Sequence, residues 1–444
     1  VGKKRLTRRK FIVGSALGLA GCATARPRVR YTSPNAKLNV AAIGAGGQGG
    51  GDIGACDSEN VVALCDVDFD RAAGSFGRWP NAKRYRDYRV MLEKQRDIEA
   101  VTIGTPDHTH APAALMAMEL GVHVYVEKPL THTVEEARIL RKAARRFGVV
   151  TQMGNQGHAG DDVRRVCEVI WIGLLGEVRE VHAWTDRPAG WWPQNVNRPT
   201  ETLAVPEHLD WDLWIGTAPW RPYHTAYHPF AWRGWWDFGC GALGDMGCHV
   251  MNPVNWAMQL DRPRSFSIEV IEKEGGNEET GPLWSIIRYE FPRRGEMPPV
   301  TVTWYDGGKK PPCPEGVNPE YLADGNGSLF IGSEGMLVVG VHGGSARLLP
   351  EEKMKDLGWP DPIMPRVEGG PQQEWIRACK GGSLPGSSFD YSGPFTEMVL
   401  LGNVALRAGT KIEWDVSRMR VVNDRAAGAL ITKDYRNEWD LLPV

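Results

Sequence analysis

An acid and an imidazole lie four residues apart in the stretch Asp237-Phe238-Gly239-Cys240-Gly241-Ala242-Leu243-Gly244-Asp245-Met246-Gly247-Cys248-His249. If 242–252 is helical, Asp245 and His249 sit one turn apart on one face. Histidine titrates near neutrality, so His249 is suited to take the proton of a secondary hydroxyl while a hydride leaves the same carbon. Asp245 would orient that ring or hold a substrate hydroxyl. A hydride needs an acceptor, and the apolar run 38–43 leads directly into Gly44-Ala45-Gly46-Gly47-Gln48-Gly49. In this spacing Gly44 makes a tight turn, Gly46 admits a pyrophosphate to the backbone and Gly49 packs helix on strand. A second apolar run, 61–65, ends in Asp66, about 20 residues downstream, where a carboxylate binds adenosine ribose hydroxyls. Asp66 and Asp68 would repel a 2′-phosphate, which favours NAD over NADP.

Alternating elements must position these groups. Apolar runs at 100–104, 122–126 and 149–153 are separated by helical stretches at 111–120 and 134–147. Strand and helix in turn predict a doubly wound, right-handed parallel sheet with its ligand at the strand C-termini. From about residue 158 apolar stretches at 178–184, 266–271, 283–291, 300–304 and 329–339 alternate with long loops, which predicts an α/β domain with one large, open, mainly antiparallel sheet. The segments 372–380 and 391–407 read as helices covering that sheet. The expected fold is therefore a Rossmann domain at 37–157 followed by a second domain at 158–444.

The chain has 444 residues, 42% hydrophobic and 24% charged, as in ordinary globular enzymes. A formal net charge of −2 gives no electrostatic case for nucleic acid. The eight cysteines form no CxxC pair. Asp107, His108 and His110 come nearest to a metal motif, yet such residues are more often hydrogen-bonded in a turn, so no metal is expected. Tryptophan stands out at 18 residues, many of them between Trp184 and Trp256. Core packing is the plain explanation for any one of these; as a group they are also what a sugar cleft uses.

With the glycine loop, the Thr105-Pro106 turn, Glu127-Lys128-Pro129 and the Asp245–His249 element in hand, the chain from Lys37 onward resembles the Gfo/Idh/MocA family of glucose–fructose oxidoreductase and inositol dehydrogenase. The resemblance implies a cis peptide at Lys128-Pro129. It also implies a cofactor pocket of Gly44, Gly46, Gly47, Gln48, Gly49, Asp66, Thr105, Pro106, His110, Glu127 and Lys128. Lys128 joins Asp245 and His249 as a catalytic trio and would stabilise a developing alkoxide. Asn155, Gln156 and His158, together with Arg221, Tyr223, His228 and Arg233 from the Trp-rich segment, would line a sugar cleft, with Trp232, Trp235 and Trp236 stacking on sugar C–H faces. The implied reaction is hydride transfer from a glycoside hydroxyl, at C3, to a tightly bound NAD. The alternative is a redox-neutral glycosidase that oxidises, eliminates, hydrates and reduces. A non-catalytic sugar sensor on this fold would be expected to have lost the trio, and all three residues are present.

The first 22 residues read as a leader. Lys3, Lys4, Arg5, Arg8, Arg9 and Lys10 precede an apolar run too short to span a bilayer. Thr7-Arg8-Arg9-Lys10-Phe11-Ile12 resembles a twin-arginine export motif, and Leu19-Ala20-Gly21-Cys22 resembles a lipobox in which Cys22 is lipidated. Residues 23–36 would form a tether. The expectations are a periplasmic enzyme anchored to a bacterial membrane by lipid alone, a sugar or glycoside as its small-molecule partner, and a homo-oligomer formed through the open sheet.

Overall fold

A computed structural model of the chain describes residues 33–315, 317–352, 355, 358–436 and 439; the expected leader, Cys22 and most of the tether lie outside the described residues. The first half is a six-stranded sheet of β1 (Asn39–Ile43), β2 (Asn60–Cys65), β3 (Lys83–Tyr85), β4 (Ala100–Ile103), β5 (His123–Glu127) and β6 (Thr151–Gly154). Every neighbouring pair is parallel, in the order β3-β2-β1-β4-β5-β6. Strands β4, β5 and β6 are buried throughout, as the near-continuous apolar runs require of a sheet covered on both faces. The crossover helix Val134–Phe147 starts from a capping box, Thr133 with Glu136, and ends on Gly148 in the left-handed region.

The second half is built on a nine-stranded sheet of β7 (Val178–Trp184), β8 (Ser265–Glu274), β9 (Trp284–Phe291), β10 (Val300–Tyr305), β11 (Gly327–Gly332), β12 (Met336–Gly340), β13 (Arg347–Leu349), β14 (Ile412–Asp415) and β15 (Arg420–Val421). Its order is β13-β12-β11-β7-β10-β9-β8-β14-β15. Only the β7–β10 pair is parallel, so the sheet is mainly antiparallel, as the alternating pattern predicts. Among the described residues no helix is long and apolar enough to cross a membrane.

Two expectations need correction, and a third element is more finely divided than its apolar pattern shows. The apolar stretch 329–339 holds two strands, β11 and β12, and the segment 330–335, which by resemblance to the family forms a turn before a strand, turns the chain back between them at Ser333-Glu334-Gly335. The span 242–252 is not one α-helix: it opens with a π-helical turn, Leu243–Gly247, followed by a short turn Cys248–Val250 and then Asn252–Ala257. The helix Gly370–Cys379 covers a different sheet from the one expected. Trp375, Ile376, Ala378 and Cys379 pack with Leu38, Val40, Ala42, Leu64 and Tyr125 on the Rossmann sheet. The longer helix Phe389–Ala408 joins the main core, which runs from the other Rossmann face, through Val101, Val124 and Val126, to Val181, Ile287 and Val302 of the large sheet.

Trp375 is fully buried against Tyr125, ring centroids 5.8 Å apart. Replacing it by alanine opens a cavity under the nucleotide-binding sheet, and Trp375→Ala is expected to lower the unfolding free energy by about 3–5 kcal/mol in urea titration.

Candidate active site

The C-terminal end of β5 delivers Glu127 and Lys128, and the Lys128-Pro129 peptide is cis. Lys128 Nζ donates to the Asp245 backbone carbonyl at 2.7 Å and to Asp245 Oδ1 at 3.0 Å. Two arginines share that carboxylate: Arg233 Nε reaches Oδ1 at 3.2 Å and Arg187 pairs with Oδ2. Burial by itself raises the Asp245 carboxyl; Lys128, Arg233 and Arg187 outweigh it and hold the group well below the usual carboxylate range. The π-helical turn carries Asp245 to this cluster, and π turns recur where a helix is reshaped for function.

His249 follows on the next turn, but its ring is not oriented by Asp245, whose oxygens are taken by the three cations. Its Nδ1 is buried with no hydrogen-bond partner. Burial, then Lys128 and then His342, push His249 well below the ordinary imidazole value, so the ring is neutral at neutral pH and able to accept a proton. The His342 ring packs edge-on against it, centroids 4.7 Å apart.

These groups open into a cleft of about 620 Å³ that reaches back to the glycine loop. The loop has the fit of a dinucleotide cradle. Gly44 has a φ of +78°, and a Cβ on Gly49 would come within 1.9 Å of the Gly44 carbonyl oxygen, so helix and strand approach only because both are glycine. Asp66 lies at the end of β2, where it accepts from the backbone N–H groups of Gly46 at 3.0 Å and Asp68 at 2.9 Å. Burial raises its carboxyl and those two N–H groups oppose the rise. Of the residues expected to bind cofactor, Gly44, Gly46, Gln48, Asp66, Thr105, Pro106, Glu127 and Lys128 line the cleft. Gly49 shapes the loop from behind, Gly47 lies under the Arg71 guanidinium, and His110 is spent on structure, its two ring nitrogens bonding the Thr105 and Pro129 carbonyls. His108 likewise bonds the Phe238 and Trp214 carbonyls, and Asp107 accepts from the Cys240 N–H at 3.0 Å, so this turn staples the two halves together.

The expected sugar-binding residues divide. Gln156 and Arg233 reach the cleft, as do His228 and Trp232. The others lie outside it for identifiable reasons. Asn155 and His158 are buried on Asn252, and His158 stacks on Trp256 at 4.1 Å. Tyr223 and Trp235 are packed in a separate aromatic core with Trp211, Trp214 and Tyr227. Trp236 faces a second cavity beside Asp237 and Arg407, and Arg221 is buried on Asp237 and Glu279. Sequence reasoning missed Arg71, Arg187, Trp191, Phe230 and His342, all of which line the cleft. The Arg187-Pro188-Ala189-Gly190-Trp191 loop leaves the end of a strand, a place that often carries ligand contacts, and this was the available signal. Arg187 lies over Trp191 at 3.8 Å, and Arg233 lies between Phe230 and Trp232 at 4.2 and 4.3 Å.

A glycine cradle with an acid at the end of the second strand, opening into a part-buried lysine–carboxylate centre, is the arrangement of a nucleotide-binding oxidoreductase. Residues 38–155 match the model of the oxidoreductase family with an NAD-binding Rossmann fold, and residues 160–296 match the model of its C-terminal alpha/beta domain. The chain belongs to the Gfo/Idh/MocA oxidoreductase family, and its first domain is an NAD-binding domain. It is similar to a D-glucoside 3-dehydrogenase of Escherichia coli (strain K12), 32% identical over 27% of this chain and 33% of that protein. It is also similar to a glycosyl hydrolase family 109 protein of Shewanella sp. (strain ANA-3), 25% identical over 47% of this chain and 51% of that protein. The chain thus spans about a third to a half of these curated relatives. Its fold is similar to that of the WlbA dehydrogenase of Chromobacterium violaceum, crystallised with NADH and UDP-GlcNAcA, at a TM-score of 0.60 and 16% identity, covering 88% of this chain and 99% of the other.

Asp245→Asn leaves three part-buried cations without a counter-charge, and a loss of about 3–5 kcal/mol of stability is expected at neutral pH. The folded carboxyl titrates below its unfolded value near 4, so its contribution is complete above that value and fades as pH falls through the depressed one. The deficit of Asp245→Asn should therefore be constant from neutrality down to about pH 5 and shrink under stronger acid, as read by urea titration across pH.

Proposed function

We propose that this protein oxidises a secondary ring hydroxyl of a sugar or glycoside, at C3, with NAD as the hydride acceptor. The observation that carries the reading is that Lys128 and the neutral His249 open into the same cleft as the glycine cradle. Bound there, the dinucleotide supplies a two-electron acceptor at its nicotinamide. Lys128 Nζ holds the reacting hydroxyl oxygen and lowers the energy of the alkoxide as it forms. A ring nitrogen of His249 takes the hydroxyl proton, and burial keeps that ring uncharged until it does so. The exposed rings of Trp191 and Phe230 at the rim offer aromatic surface to a pyranose ring, and Arg187 and Arg233 offer donors to its hydroxyls. The names of the glucoside 3-dehydrogenase and family 109 relatives support a glycoside and position C3.

A second reading, a redox-neutral glycosidase with a permanently held cofactor, is favoured by the segment that walls the nucleotide side. Asp68 clasps His208 Nδ1 at 2.8 Å and His228 Nε2 at 2.7 Å, and backbone bonds from Phe69 to His208 and from Asp210 to Val67 lace the segment to the loop after β2. Such a strap beside Asp66 would retain NAD through repeated turnovers. Retention would suit an exported protein: if residues 1–22 act as a twin-arginine lipoprotein leader, the chain would carry its cofactor out already loaded.

Purified protein given p-nitrophenyl glycosides without added nucleotide separates the readings. Many turnovers of nitrophenol release support the glycosidase; ketosugar that accumulates only with an added electron acceptor supports the dehydrogenase. A protein that neither carries nor binds NAD would overturn both. Lys128→Ala is expected to lower kcat by about 10²–10³-fold in whichever assay succeeds.

A further inference from the structure

Histidine usage in the chain points to one residue outside the trio. Of the eleven histidines, nine have a ring nitrogen in a hydrogen bond with another residue. Among the described residues, His249 and His342 have none, and they face each other in the cleft with ring centroids 4.7 Å apart. His342 comes from the second domain, in the connection Val341–Gly343 between β12 and β13. Its backbone is left-handed, with a φ of +61°, a conformation that side chains other than glycine seldom adopt. The approach is tight as well: a Cβ on Gly157 would lie 2.7 Å from the His342 Cβ. A residue held in a strained backbone, through a gap that only glycine leaves open, with a ring that bonds nothing in the protein, is placed for a ligand. Burial first and Lys128 second push its imidazole below the ordinary value, so it too is uncharged at neutral pH.

We propose that His342 is a second catalytic acid–base residue, which handles the proton on the carbon next to the oxidised one. The inference rests on the second, redox-neutral glycosidase reading of the cleft, and names the residue that serves the elimination following sugar oxidation. Once C3 is a ketone, the C2 proton is acidic. His249 is by then occupied by the hydroxyl proton, so a different base is needed. His342 takes the C2 proton; the electron pair of that bond forms the C1–C2 double bond as the C1–oxygen bond to the leaving group breaks, and the imidazolium gives its proton to the departing oxygen. Water then adds, hydroxyl to C1 and proton to C2. The sum is ketoglycoside plus water giving ketosugar plus alcohol, with no oxidant or reductant consumed.

The test uses the nucleotide-loaded protein and two probes. The 3-keto derivative of p-nitrophenyl glucoside in D2O reports C2 deuterium exchange and nitrophenol release without any hydride step. The parent glucoside, in a single turnover, reports reduction of the bound nucleotide by its absorbance. In His342→Gln, exchange and release from the ketoglycoside are expected to fall about 10²–10⁴-fold and hydride transfer less than about 10-fold. Added imidazole should restore exchange to His342→Ala, and thermal melting with nucleotide bound verifies that both variants fold. Equal loss in the two probes, or exchange that persists in a folded variant, overturns the proposal. A wild-type protein that reduces its nucleotide with the glucoside yet exchanges no deuterium overturns it while sparing the sugar-oxidising reading. A wild-type protein that exchanges deuterium but reduces no nucleotide sinks that reading instead.

Discussion

The Asp245 carboxylate is the point on which the two domains agree. It meets a lysine from the end of a Rossmann strand, an arginine from the loop after the first strand of the large sheet and an arginine from the Trp-rich segment, and its exposure is only 6%. Each of those cations alone would be costly to hold in a partly dry cleft; one carboxylate at their centre makes the arrangement tolerable. The π-helical turn is what brings the carboxylate there, and the same turn leaves the following histidine without a hydrogen-bonding partner in the protein. Beside this gathered charge stands an uncharged proton acceptor, His249.

Around this centre the architecture follows a general rule of parallel sheets. The glycine cradle stands at the C-terminal ends of β1 and β4, where the strand order reverses and the loops part. The second domain closes the resulting crevice rather than sitting beside it. The turn Asp107–Thr109 bonds across to Phe238, Trp214 and Cys240, and the strap around His208 and His228 bonds back to the loop after β2. The two ends of the cleft, beside Thr105 and beside Asp66, are thus each tied to residues from the other half of the chain.

Much of this was legible in the sequence. Five of the six parallel strands, the glycine cradle, the acid after β2 and the mainly antiparallel second sheet follow from apolar runs and glycine spacing, which are local properties; the short edge strand β3, Lys-Arg-Tyr, has no apolar run to announce it. The substrate wall was read less well, since a cluster of tryptophans says that aromatic surface is present and not which face each ring takes. Trp235 is spent on an inner aromatic core, whereas Trp191 and Phe230, equally plain in the sequence, form the rim. Helical spacing placed Asp245 and His249 on one face as partners, and the π turn gave the acid three other partners instead. His342 was illegible because its position depends on a left-handed residue and on the absent side chain of Gly157, neither of which leaves a periodic trace.

The helix Gly370–Cys379 bears on how the chain is made. It lies on a sheet whose strands were all synthesised more than 200 residues earlier, and it completes a face that Ile53 and Phe76 of the first half cover only in part. Contacts this distant in sequence are slow to form, and an uncovered face is prone to association in the meantime. The covering of the nucleotide-binding sheet is therefore complete only when the last quarter of the chain has been made.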